Sequence, residues 1–295
     1  MGVGARARGQ LAKRAPRLEE IAVRANWRRR NRGRSFSPDA IEDPVQRRLI
    51  ETLRRDGYAV CRFEDVFGDR ALFDEAAAHA DRLYESRTRT GVPAQGSKAS
   101  FLTKLASRSY EADHPFVRIA LHPSVLKIAN GYLRLHSTLQ ALELWWTRPT
   151  SDAAMGTQLW HRDADDVMNV KLFLYFTDVT REAGPLTYAP RTHPVGNRRA
   201  AAPHDADYRS SDEQMAQVVP AGEWAILEGE SGTIVFADTC GYHKQLKPES
   251  EERVKLVAQY ISGTPYVPLA LKLTGIDAAT LTDDQHYAVF DRPPS

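Results

Sequence analysis

The sequence predicts a mainly β domain, an antiparallel sandwich or barrel flanked by helices, and three observations carry that expectation. Short apolar runs at residues 170–176, 186–188, 223–227, 233–237 and 254–261 are separated by turns of Gly, Pro and Asp. Ahead of them, apolar residues recur at helical spacing instead. The 295 residues are 42% hydrophobic and 26% charged, the balance of an ordinary globular protein with material for a large core.

The chain opens on a basic stretch. Residues 1–34 hold eleven Lys/Arg against Glu19 and Glu20, a charge of +9 that leaves −7 on the remainder. Residues 1–37 are expected to form a flexible or helical extension, solvated for the most part, and residues 38–295 the folded domain. Contact with nucleic acid or an anionic membrane, or an organellar presequence, are the other readings of such a tail. Without base-reading motifs nucleic acid is the weaker partner, and a small-molecule substrate is expected.

Folded structure is expected from the polar residues 35–38. Pro44–Asp56 reads as a helix, with Val45, Leu49, Ile50 and Leu53 on one face, Pro44 at its first position and Gly57 as its stop. Residues 58–63 read as a strand, and 69–84 as a helix with Asp69 as a possible cap. The Gly-, Pro- and Ser/Thr-containing segment 85–100 reads as a loop long enough to act as a lid. A short helix over 122–133 precedes a Leu- and Trp-rich strand over 137–147. The alanine-rich segment 196–216 reads as an insertion over the barrel mouth.

Composition excludes several classes. Cys61 and Cys240 are the only cysteines, which rules out a disulfide framework and a cysteine zinc site and points to the cytoplasm. No apolar run approaches the ~20 residues of a membrane span, nor does the tail hold the ~7–15 residue core of a signal peptide. No phosphate-binding glycine loop, nucleophile elbow or H-E-x-x-H pattern occurs.

The informative stretch is Gln158-Leu159-Trp160-His161-Arg162-Asp163. In extended chain, His161 and Asp163 project from one face and can converge on one metal ion. His243, after the run 233–237, is the best third ligand. Two imidazoles and one carboxylate on a triangular face suit nonheme Fe(II) with open positions. Such a pair is weak evidence alone, because many histidines stand beside a surface aspartate. Arg253, ten residues on, offers a fixed cationic fork for a carboxylate. Asp165 and Asp166 compete poorly with Asp163: one needs the strand to continue past the metal and the other faces away. The remaining histidines lack partners at ligand spacing, and Trp145, Trp146 and Trp160 read as core or pocket walls.

Taken together, these residues resemble the phytanoyl-CoA dioxygenase family. Trp160-His161-Arg162-Asp163, the strand 170–176, Glu182-Ala183-Gly184-Pro185-Leu186, Pro190-Arg191-Thr192-His193, and His243 with Arg253 match that family's motifs in order over residues 44–266. The resemblance implies a double-stranded β-helix, a cupin-like jelly roll, that binds Fe(II) through His161, Asp163 and His243. It also implies 2-oxoglutarate held by Arg253, with Phe173 and Gln245 beside it and Lys98 or Lys104 as a further contact, and O2 as the second substrate. The implied reaction is hydroxylation of an unactivated C–H bond with release of succinate and CO2. Related halogenases replace the carboxylate ligand, so an intact Asp163 favours hydroxylation over halogenation. The competing readings are a noncatalytic barrel that only binds, and an oxygenase carried to nucleic acid by its tail.

Two positions depart from the family pattern. Arg191 stands where glycine is common, so a different backbone angle is expected there. Gln245 replaces a small hydroxyl residue. His193 is expected to be structural. Specificity is expected in segments 85–104, 196–216 and 267–295, and no residue pattern speaks to oligomeric state.

Overall fold

The computed structural model describes residues 17–90, 101–198, 200–269 and 271–293. The first described element is helix α1 (Arg17–Arg30) in the basic stretch. Trp27 on α1 is buried, and its indole N–H donates to Asp166 Oδ1 at 2.9 Å and to Ser262 Oγ at 3.0 Å. Packing thus reaches back beyond residues 35–38, because one large aromatic finds an apolar seat and two acceptors for its N–H.

Helix α2 (Pro44–Asp56) starts where Asp43 accepts from the amides of Val45 and Gln46, and it ends at Gly57 in the left-handed region. Strand β1 (Tyr58–Arg62) follows, and Phe63, expected in the strand, instead opens α3 (Phe63–Phe67) because the Asp65 carboxylate caps the Arg62 amide. Helix α4 (Ala71–Thr90) runs six residues beyond the expected end at Tyr84, into the segment read as a loop. No Gly or Pro interrupts those residues, and the Glu85–Arg89 pair at 2.7 Å spans one helical turn. Strand β2 (Leu102–Ser107) follows the expected lid, whose remaining part, residues 91–100 with Lys98, lies outside the described residues.

The remaining elements are β3 (Ser109–Glu111), α5 (Pro115–Ala120), α6 (Pro123–Leu133), β4 (Thr138–Thr147), β5 (Val170–Tyr175), β6 (Leu186–Tyr188), α7 (Asp212–Ala216), β7 (Ala225–Leu227), β8 (Thr233–Ala237), β9 (His243–Gln245), β10 (Arg253–Ile261), β11 (Lys272–Thr274) and α8 (Asp283–Phe290). A six-stranded sheet in the order β1-β8-β5-β10-β4-β2 faces a three-stranded sheet β7-β6-β9, and every pairing within the two is antiparallel. This is the double-stranded β-helix with flanking helices. A parallel pair, β3 with β11, ties the C-terminal segment to the helical side.

Strand β10 shows why the chain folds this way. Val254, Leu256, Ala258 and Tyr260 join the core shared with Leu53 of α2 and Val125 and Leu126 of α6. Each Val or Leu side chain among them contributes roughly 1.5–3 kcal/mol on full burial. The alternate residues Arg253, Lys255, Val257 and Gln259 take the opposite face, inside the barrel. Strand β5 follows the same rule: Leu172 and Leu174 lie in the helix-side core, Phe173 and Tyr175 in the barrel core. No described helix is long and apolar enough to cross a membrane.

Candidate metal centre

His161 and His243 are brought together by backbone pairing. The amide of each donates to the carbonyl of the other at 3.0 Å, a two-residue bridge that continues the small sheet past β9. The Asp163 amide donates to the Thr239 carbonyl at 2.8 Å, and Asn169 Oδ1 accepts from the amide and hydroxyl of that threonine. Both ligand-bearing segments are therefore fixed to each other before any side chain is considered. Gly241 is required by close approach: a Cβ there would fall 1.9 Å from the Tyr188 hydroxyl.

The three side chains offer one ligand atom each within 4.8 Å of one another. Asp163 lies 3.8 Å from Nε2 of both histidines. His161 Nδ1–H donates to the Leu159 carbonyl at 2.9 Å and His243 Nδ1–H to the Gly241 carbonyl at 3.0 Å. Those bonds assign the tautomer and turn both Nε2 lone pairs toward the cluster. Burial holds His161 well below the ordinary histidine range and lowers His243 to about 4, so both imidazoles are neutral at pH 7. Burial opposes ionisation of Asp163, yet Lys171, His243 and His161 together hold its carboxyl well below the usual value. The donor set is two neutral imidazoles and a carboxylate, which fits a divalent transition metal.

Lys171 was not legible as a site residue. It projects from β5 and donates to Asp163 Oδ2 at 2.7 Å. Burial works against its charge, but Asp163 and Asp165 keep its ammonium above the ordinary value. The available signal was a lysine inside an otherwise apolar strand, since Lys is rarely buried unless paired.

The second half of the site is cationic. Arg253 is fully buried; its Nη1 donates to the Gly184 carbonyl and its Nη2 to Gln245 Oε1 at 2.8 Å. Its Nε is buried with no partner among the described residues. Lys255, also buried and missed in the sequence, donates to the same Gln245 oxygen at 2.7 Å and lies 5.1 Å from the centre of the Phe173 ring. Burial, with Arg253 and Lys171 nearby, pulls the Lys255 ammonium far below its usual range. No described carboxylate forms an ion pair with Arg253 or Lys255; the neutral Gln245 amide is their shared acceptor. Gln245 is two residues after His243 on β9, so both face the same side, about 7 Å apart along the strand. Gly184, at φ 71°, turns its carbonyl to Arg253, and a Cβ there would meet the Leu246 carbonyl at 2.3 Å.

Other expected residues fall elsewhere. Lys104 reaches Glu143 at 2.5 Å and stacks over Trp145 at 4.7 Å. Asp165 accepts from Gln259 at 2.9 Å, and Asp166 accepts from Trp27 and the Ser262 amide, so neither joins the cluster. His193 Nε2–H donates to the Arg54 carbonyl at 3.0 Å, tying its turn to the end of α2. Arg191 keeps a left-handed φ of 67° despite not being glycine; its amide bonds to the Asp56 carbonyl at 2.9 Å, so the turn holds its shape at the cost of strain. The expected change of angle is absent.

The part of segment 196–216 from residue 200 on packs against the strand that carries His161. Ala202 and Met215 share a small core with Trp160 and Tyr242, and Ser210 bridges Trp160 through the backbone. That bridge puts Arg209 beside the centre: its charge acts on His161, Asp163 and His243, while its Nη1 is buried with no partner among the described residues. Asp205 shapes this loop by accepting from the amides of Asp207 and Arg209.

A sequence profile described as phytanoyl-CoA dioxygenase (PhyH) matches residues 43–252, most of the barrel. The chain belongs to this family. Proteins of solved structure share its fold at low identity. The epimerase SnoN, solved with Fe3+, alpha-ketoglutarate and nogalamycin RO, is 20% identical, with 81% of this chain and 93% of SnoN covered and a TM-score of 0.55. AviO1 from Streptomyces viridochromogenes is 19% identical over 76% of this chain and 97% of its own, with a TM-score of 0.51. The apo form of EctD from S. alaskensis is 17% identical over 81% and 91%, also with a TM-score of 0.51. No curated protein sequence matches the chain.

Proposed function

We propose that this family member is an Fe(II)- and 2-oxoglutarate-dependent oxygenase that hydroxylates an unactivated C–H bond of a small molecule, releasing succinate and CO2. The observation that carries this reading is a His-Asp-His cluster beside buried Arg253 and Lys255, which share a neutral acceptor. Buried charge without a counter-charge is costly, and a dicarboxylate anchored at Arg253 and Lys255 supplies what the protein leaves out. Bound Fe(II), with 2-oxoglutarate and O2, supplies the oxidising power for hydrogen removal and hydroxyl delivery.

The chain's own residues do the positioning. His161, Asp163 and His243 would hold the metal, and Lys171 holds one carboxylate oxygen of Asp163 in a fixed orientation. Arg253 would take the far carboxylate of 2-oxoglutarate, with Gln245 fixing the fork and Phe173 forming an apolar wall beneath Lys255. Arg209 would meet an anionic group on the substrate, because its buried Nη1 has no described acceptor.

The test is succinate formation coupled to O2 uptake across a panel of carboxylated, phosphorylated and neutral small molecules. The reading expects one succinate per hydroxylated product, no turnover in His161→Ala, and preference for anionic substrates that Arg209→Gln abolishes. Turnover unchanged in His161→Ala would reject it. A product altered without added oxygen would replace hydroxylation by another outcome of hydrogen removal.

A further inference from the structure

A groove of about 540 Å³ lies between α1 and the α2–α6 pair, away from the metal cluster. Five arginines line it, Arg28, Arg29 and Arg32 from the N-terminal side and Arg54 and Arg134 from the body, and no Asp or Glu does. Among the described residues none of the five forms an ion pair. Arg54 donates to the Tyr132 carbonyl and Arg29 to Asn26, whereas Arg28, Arg32 and Arg134 have no described side-chain acceptor. Burial lowers the Arg54 guanidinium, and Arg134 and Arg28 lower it further, so the charges repel across the groove. Arg134 also occupies the left-handed cap of α6 at φ 59°, a position suited to Gly or Asn. Arg28, Arg29, Arg32 and Arg134 are exposed, so water screens their repulsion, and an anion bridging the five would add to the docking of α1.

We propose that this groove binds a small polyanion carrying two or more phosphate groups, and that its occupancy fixes α1 on the body and, through Trp27, steadies the segment that follows Asp163. The volume lies within the roughly 300–1,000 Å³ of small-molecule sites. Arginine forks suit phosphate oxygens, and each cation can serve a different oxygen. A nucleic acid is the weaker fit, since the chain beyond residue 34 carries −7 and a backbone-tracking surface needs a basic stripe. The link to the metal centre is short. Trp27 of α1 bonds to Asp166, three residues after Asp163, and Met168 of the same segment lines the groove.

The experiment is calorimetric titration of the full chain with inorganic pyrophosphate, with hydrogen exchange at residues 164–168 as a second readout. Binding at one site per chain is expected, with slower exchange in that segment. The double variant Arg28→Gln, Arg134→Gly should weaken it about 100-fold, roughly tenfold for each lost guanidinium. Arg134→Gly relieves a left-handed residue, so a melting temperature equal to or above the parent's without pyrophosphate is expected and shows that the variant is folded. Failure to bind at millimolar pyrophosphate, or equal binding by the variant, would overturn the proposal. So would tighter binding of vesicles containing phosphatidylserine, or of duplex DNA, that survives in the double variant. None of these readouts depends on oxygenase turnover, so the proposed reaction can fail while this site stands.

Discussion

Replacing Lys171 with Met tests the electrostatic design of the metal centre while keeping the aliphatic stem. The ammonium lies 2.7 Å from Asp163 Oδ2, and the two side chains are 17% and 19% exposed. Removing one partner of a buried ion pair costs about 3–5 kcal/mol, and residual solvent access here lowers that to about 2–3 kcal/mol. At about 2 °C per kcal/mol for a domain of this size, the metal-free variant should melt about 4–6 °C below the parent. A divalent ion reverses the comparison. It supplies the missing positive charge to Asp163 in the variant, but meets repulsion from Lys171 in the parent, so the gap should close with Mn(II). The assay is thermal unfolding in chelator and in excess Mn(II) under argon. An Lys171→Met protein that melts with the parent in chelator, or a gap that Mn(II) leaves unchanged, refutes the reasoning.

Arg253→Gln should raise the KM for 2-oxoglutarate at least tenfold, because a charged hydrogen bond is worth about 1.5–3 kcal/mol, and initial-rate measurements read this directly. Trp27→Phe removes the indole donor to Asp166 and Ser262 and should lower stability in urea by about 1–3 kcal/mol. Burial pushes the Asp238 carboxyl up to about 7, so the folded chain retains a proton that the unfolded chain has released. Stability from this group therefore falls as pH rises from about 4 to 7, by about 4 kcal/mol at most. His161 and His243, lowered by burial, act oppositely and gain stability as pH rises through the same window. Asp238→Asn should unmask that gain as a steeper rise between pH 4 and 6.5, measured by denaturant unfolding.

Much of the barrel could be read from the chain because alternation of apolar residues and turn chemistry are local. The run 233–237 and the His-x-Asp spacing needed no tertiary knowledge, and the bridge between His161 and His243 follows from pairing of their strands. Lys171 and Lys255 were missed for a physical reason: a lysine in a strand reads as a solvent-facing residue until the opposite sheet is known to close over it. Arg209 was hidden in the same way, since only the Ser210–Trp160 bridge puts it beside the cluster. The end of α4 was misread because Ser and Thr were weighted above the absence of a helix breaker before Gly91. Trp27 looked like part of a charged tail, and its burial depends on Asp166 and Ser262, each more than a hundred residues away.

Anaerobic addition of Fe(II) to the apoprotein in the presence of 2-oxoglutarate tests the whole account, with the visible iron-to-cosubstrate absorption band as the signal. The expected result is saturation at one iron per chain, no band in Asp163→Ala or His243→Ala, and a tenfold or greater rise in the 2-oxoglutarate requirement in Arg253→Gln. A band of equal intensity and midpoint in His243→Ala would contradict it, because the second imidazole would then play no part in holding the metal.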